Sequence, residues 1–120
     1  MDKQVRILES EKALHVLREI EQNPAITQRD LARKLEVSLG KINFLVKALI
    51  DKGFVEIKNF KNSKNKLAYM YLLTPQGIRI KFQLTHKFFT EKIQEYERLK
   101  VEIEFLKNEV NSVPSQKQLI

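Results

Sequence analysis

The segment Thr27-Gln28-Arg29-Asp30-Leu31-Ala32-Arg33-Lys34-Leu35-Glu36-Val37-Ser38-Leu39-Gly40-Lys41-Ile42-Asn43-Phe44-Leu45-Val46-Lys47-Ala48-Leu49-Ile50-Asp51-Lys52-Gly53 holds two helical patterns with a very short connection. Thr27 followed by Asp30 has the form of a capping box, and Leu31, Ala32 and Leu35 then share one helical face. Ser38 is suited to cap a second helix with an inward stripe of Ile42, Leu45, Val46 and Leu49, closed by Gly53 just past its end. Two helices joined by Glu36-Val37-Ser38 make a helix-turn-helix, a unit that lays its second helix in the major groove of DNA.

With that stripe buried, the 3.6-residue period turns Leu39, Gly40, Lys41, Asn43, Phe44 and Lys47 outward. Gly40 has no side chain to hold a backbone away, Lys41 and Lys47 can reach phosphate or guanine, and Asn43 matches the two-bond pattern of adenine. Ser38, Gly40, Lys41, Asn43, Phe44 and Lys47 are therefore the expected groove-facing set. Phe44 is out of character on a polar face and leaves two readings, contact with a thymine methyl or packing against the hairpin that follows. For the lysines the plain alternative is a solvated surface.

Upstream, Ala13, Leu14, Val16, Leu17 and Ile20 recur at helical spacing within Glu9 to Gln22, and Asn23-Pro24 stops the run. Downstream, Val55 and Ile57 fall on one face of a strand, and Leu67-Ala68-Tyr69-Met70-Tyr71-Leu72-Leu73 is rich in β-formers. The polar turn between them supplies the expected wing contacts, Lys61, Asn62, Ser63, Lys64, Asn65 and Lys66. A lone hairpin is marginal in water, so it must pack on the helices. Thr74-Pro75 then opens a helix that meets no breaker until about Ser112. The order predicts a mainly α fold with a small β-hairpin, a winged helix-turn-helix over residues 1–74. A long C-terminal coiled-coil helix over 75–113 and a flexible tail over 114–120 complete it.

At 120 residues and 42% hydrophobic content the chain suits one compact domain with an appendage, with enough apolar mass to bury a core. Its formal net charge of +7 is unevenly placed. From Ile57 to Thr90 the basic residues are Lys58, Lys61, Lys64, Lys66, Arg79, Lys81 and Lys87, without a single acid, a distribution that favours polyanions. No apolar run approaches the length of a membrane span and no signal-peptide pattern follows Met1, so a cytoplasmic location and no membrane partner are expected. With Cys 0 and His 2, thiol catalysis and the usual zinc frameworks lack their ligands. Ser38-Leu39-Gly40-Lys41 is no phosphate loop, since it follows a helix rather than a strand and lacks the first glycine. No catalytic constellation emerges, and neither a cofactor nor a metal is expected.

The last helix has an additional pattern. Phe82, Phe89, Tyr96, Ile103 and Val110 repeat every seventh residue, with Leu99 and Leu106 at the complementary position. Phe82, Phe89, Tyr96, Leu99, Ile103, Leu106 and Val110 are therefore the expected dimerisation seam of a homodimer. Glu95, Glu102 and Glu109 flank it on one side and Lys100 and Lys107 on the other, which favours parallel pairing. Val101 and Phe105 form a small second stripe outside the seam.

The stretches from Ser38 to Val55, Lys58-Asn59-Phe60-Lys61-Asn62-Ser63-Lys64-Asn65-Lys66 and Leu73-Thr74-Pro75-Gln76-Gly77 resemble the MarR-type regulators associated with bacterial exopolysaccharide gene clusters. The likeness spans roughly residues 10–108. It implies a homodimeric, sequence-specific regulator that binds double-stranded DNA, at genes for surface polysaccharide. Two positions depart from the pattern: Glu36 stands where such regulators often have glycine, and Phe44 where they often carry arginine. The competing expectation is a winged-helix adaptor that binds protein or RNA and uses the coiled coil as a scaffold.

Overall fold

The structure, a computed structural model, describes residues 3–61, 64 and 67–112, with Leu67 described in its backbone alone. Its elements are α1 (Lys3–Leu8), α2 (Glu11–Gln22), α3 (Gln28–Leu35), α4 (Leu39–Asp51), β1 (Val55–Lys61), β2 (Leu67–Leu73) and α5 (Pro75–Asn111). The wing residues Asn62, Ser63, Asn65 and Lys66 lie outside the described residues, as does the tail from 113 onward.

Local side-chain chemistry starts α2, α3 and α4. The hydroxyls of Ser10, Thr27 and Ser38 accept from the backbone N–H of Ala13, Asp30 and Lys41 at 3.2, 3.0 and 3.1 Å. The Ser10 cap moves the start of α2 to Glu11, two residues beyond the edge that periodicity suggests, and the preceding α1 is an element the sequence reading lacked. Thr27 makes its half of the capping box, while the Asp30 carboxylate lies 3.4 Å from Arg33.

The helix ends are equally local. Gly53 at φ 76 and Phe54 donate to the carbonyls of Ile50 and Leu49, each at 2.9 Å, which closes α4 as a Schellman motif. The end of α3 repeats this geometry without glycine: Glu36 sits at φ 57, ψ 45, and Val37 donates to Ala32 at 3.1 Å. A left-handed non-glycine residue costs about 1 kcal/mol or more. Lys12 offsets part of this cost, its ammonium donating to the Leu35 carbonyl at 3.0 Å where the helix dipole favours a cation.

These caps aim the apolar stripes at one another. Val16, Leu17 and Ile20 of α2, Leu31 of α3, and Ile42, Leu45, Val46 and Leu49 of α4 are fully buried with Val55. Each such side chain contributes about 1.5 to 3 kcal/mol relative to exposure. Lys34 and Glu19, 2.7 Å apart, tie α3 to α2 at the rim.

β1 and β2 pair antiparallel from Val55 opposite Leu73 to Lys61 opposite Leu67. Only the base of the hairpin is covered. Val55 is buried, but Ile57, expected beside it on an inward face, is 49% exposed. The Tyr71 N–H donates to Pro24 at 2.9 Å and so anchors β2 to the loop before α3.

Thr74 is tied to the end of α4: its N–H donates to Phe54 at 3.0 Å and its hydroxyl to the Gly53 carbonyl. The same hydroxyl accepts from Gly77 at 3.0 Å, as the cap of α5. A Cβ on Gly77 would lie 1.9 Å from the Phe54 carbonyl oxygen, so only glycine fits there. Further along, Lys81 pairs with Glu21, and Leu84 is buried. The compact unit thus includes the start of α5, up to His86.

From Lys87 a second unit comprises the remainder of α5, helical to Asn111. Phe89, Tyr96, Leu99, Ile103, Leu106 and Val110 are 63, 57, 40, 61, 52 and 62% exposed. Ion pairs run along its surface, Lys92 with Glu95 at 3.7 Å, Arg98 with Glu102 at 3.8 Å and Lys100 with Glu97 at 3.9 Å. The Lys100 ammonium also stands 5.4 Å from the Tyr96 ring centre.

Candidate nucleic-acid interface

α4 presents the surface that its periodicity predicts. Leu39, Gly40, Lys41, Asn43, Phe44 and Lys47 are all exposed, opposite the buried Ile42, Leu45, Val46 and Leu49. Ser38 has a structural task as well, since its hydroxyl is engaged with the Lys41 N–H. Lys61 and Lys64 are exposed along the hairpin.

Two grooves flank α4. One is lined by Thr27, Gln28 and Arg29 from the start of α3, Leu39, Gly40 and Asn43 from α4, and Tyr69 from β2. Sequence reasoning missed the α3 residues and Tyr69 as members of this surface; the cap at Thr27 was the one signal that they begin a helix there. Arg29 is exposed beside the capped start of α3.

Within this groove the polar side chains are mutually engaged. The Asn43 amide donates to the Gln28 carbonyl oxygen at 3.2 Å, and the Gln28 amide donates to the Tyr71 hydroxyl at 3.2 Å. Tyr71 is 2% exposed and meets Tyr69 edge-on, ring centres 5.7 Å apart. Burial raises the Tyr71 pKa above its ordinary value against the lowering effect of the Gln28 hydrogen bond, so Tyr71 remains protonated at neutral pH.

The other groove contains Phe44. It is lined by Lys3, Arg6 and Ile7 of α1, Ser10 and Lys12 at the start of α2, and Lys41 of α4. Phe44 thus shares a groove with residues of α1, a neighbour that neither sequence reading included. The missing information was α1 itself, which packs against α4 and is tied to its end by Gln4 donating to Asp51 at 3.1 Å.

Among the described residues no group of three or more His, Cys, Asp or Glu is placed to hold a metal ion, and no helix is long and apolar enough to cross a membrane.

Residues 9–56 match a family model described as winged helix-turn-helix DNA-binding. No curated protein matches the chain in sequence. Among solved structures, the adhesin competence repressor AdcR of Streptococcus pyogenes aligns with a TM-score of 0.54 at 24% identity, over 75% of this chain and 64% of that one. The chain thus spans less than two thirds of that relative. AdcR described as a zinc-dependent MarR family transcriptional regulator, in its Zn(II)-bound state, aligns at 0.52 with 25% identity, over 85% and 73%. An S. aureus MepR variant bound to an oligodeoxyribonucleotide aligns at 0.53 with 20% identity, over 90% and 87%. The family model and these alignments agree with the observed order of elements: in fold the chain is a winged helix-turn-helix protein with the architecture of MarR-family regulators.

Proposed function

We propose that the chain is a cytoplasmic, sequence-specific DNA-binding transcriptional regulator of the MarR type that acts as a homodimer. The observation that carries this reading is the exposed face of α4, where Lys41, Asn43 and Lys47 stand together opposite a buried apolar stripe. In this reading α4 enters the major groove, and Lys61, Lys64 and Lys66 of the wing meet phosphate or the minor groove. The acid-free run from Ile57 to Thr90 supports a polyanionic partner, and the oligodeoxyribonucleotide-bound MepR structure supports duplex DNA as that partner.

The exposed seam of α5 supports association with a second copy, since apolar side chains repeating every seventh residue gain by covering one another. Glu95 and Glu102 against Lys100 and Lys107 favour a parallel pair, with half-sites about 10 base pairs apart or a multiple of that. A surface-polysaccharide target rests on the wing sequence alone.

The test is titration of the protein with duplex DNA and with structured RNA in rising salt, followed by selection of bound sites from random duplexes. Tight, salt-sensitive binding to one family of palindromic duplexes is the expected result. Equal binding to RNA and every duplex would point to a non-specific nucleic-acid binder, and no binding would favour a winged-helix adaptor. Val110→Cys reads orientation: rapid disulfide formation between chains supports the parallel pair, and no crosslink in a proven dimer overturns it.

A further inference from the structure

We propose that Gln28 and Tyr71 are positioning residues that commit Asn43 to adenine. The inference rests on the DNA-binding reading and goes beyond it by naming which side chains set the base preference.

A carboxamide has two donor hydrogens on nitrogen and an acceptor oxygen. The Asn43 Nδ2 gives one hydrogen to the Gln28 Oε1 at 3.2 Å, which leaves one donor and the Oδ1 acceptor. That remaining edge matches adenine, which presents the N7 acceptor and an N6 donor in the major groove. Guanine presents N7 and O6, both acceptors, and would need both hydrogens of the amide. A free asparagine can turn its amine toward guanine; one held by Gln28 has already used a hydrogen.

Gln28 can hold Asn43 in this sense only if its own amide faces the right way. Its Nε2 donates to the Tyr71 hydroxyl at 3.2 Å, so its oxygen points to Asn43. Tyr71 is well anchored: the side chain is buried, its ring packs on Tyr69, and its backbone N–H is bonded to Pro24. Its hydroxyl oxygen carries the lone pairs that accept from Gln28. The chain of bonds therefore runs from a buried ring in the wing base to the reading edge of α4.

The experiment uses the full chain and a duplex that the parent protein selects from a random pool. The adenine in question is the position at which Asn43→Ala loses discrimination against guanine. Affinity is then measured on that duplex and on its guanine counterpart. Gln28→Ala is expected to lower the adenine-to-guanine ratio roughly tenfold, the size of a lost two-bond contact. Gln28→Glu keeps an acceptor for Asn43, so it should retain the ratio while weakening binding to both duplexes through its charge. Tyr71→Phe keeps the packed ring and should lower the ratio by a smaller factor. In the Asn43→Ala background, Gln28→Ala should change the ratio no further. Equal losses on both duplexes, or additive effects in the double variant, would make Gln28 an independent contact and overturn the proposal. An unchanged ratio in Tyr71→Phe would overturn the part assigned to Tyr71. If the parent selects duplexes but Asn43→Ala alters no position, the relay alone fails; if the parent selects none, the DNA-binding reading fails with it.

Discussion

α4 and the carboxy-terminal part of α5 are both helices with an apolar stripe, yet they meet opposite fates. The stripe of α4 is covered by its own chain, with Ile42 at 0% and Leu45 at 1% exposure, whereas Ile103 and Leu106 of α5 remain at 61 and 52%. A covered stripe gains its burial on folding; an exposed one gains it only when something binds. The difference separates the stripe that folding of the chain buries from the stripe that it leaves exposed.

The largest effect should come from the exposed stripe. Leu99→Asp combined with Leu106→Asp places charge in the seam, so a monomer by sedimentation is expected, with unchanged helical content in the first unit. Loss of linkage between half-sites should weaken binding to a two-site duplex by roughly 100-fold. An unchanged dimer mass would move the interface to the first unit and leave the α5 stripe without the role that sets it apart from that of α4.

Next in size is a change that perturbs only the covered region. Gly77→Ala forces a Cβ against the Phe54 carbonyl, and a loss of about 3 kcal/mol in urea unfolding is expected. A stability equal to the parent would mean that the α4 end and the α5 start are not locked together. A smaller effect is expected at the wing. Replacing Lys61, Lys64 and Lys66 with alanine should flatten the salt dependence of DNA affinity by about 2 to 3 units, because each contact releases about one counterion. Sequence preference should survive, and a slope that stays put would remove the wing from the interface.

The smallest expected change is a gain. Glu36→Gly relieves the left-handed residue at the end of α3, offset in part by the greater freedom of glycine in the unfolded chain. A stabilisation of about 0.5 to 1 kcal/mol in urea is expected, with DNA affinity unchanged. Destabilisation would show that the Glu36 side chain contributes more than its backbone costs.

Much of this was legible because it is local. The caps at Thr27 and Ser38, the glycine after α4 and the outward set of α4 follow from residues within one or two turns of each other. The departure at Glu36 came from the family resemblance, in which glycine is usual there, and the left-handed backbone at φ 57 gives its physical reason. What lay hidden depends on distant partners. α1 has six residues, too few to show a period or to be stable alone, and it forms where α4 supports it. The covered extent of the hairpin was equally unreadable, because Ile57 alternates correctly with Val55 and is nevertheless exposed.

By itself the amino-acid sequence determined the order of elements from α2 onward, the caps at Thr27, Ser38 and Thr74, the two faces of α4, the concentration of positive charge and the seven-residue repeat of α5, all consequences of short-range periodicity and composition. Tertiary structure alone decided that Phe44 shares a groove with residues of α1, that Gly77 must admit the Phe54 carbonyl, and that Asn43, Gln28 and Tyr71 form one chain of hydrogen bonds. Tyr71 and Gln28 are 43 positions apart, and no local rule links a strand residue to a helix start at that distance. Only packing of β2 against the loop before α3 brings them together.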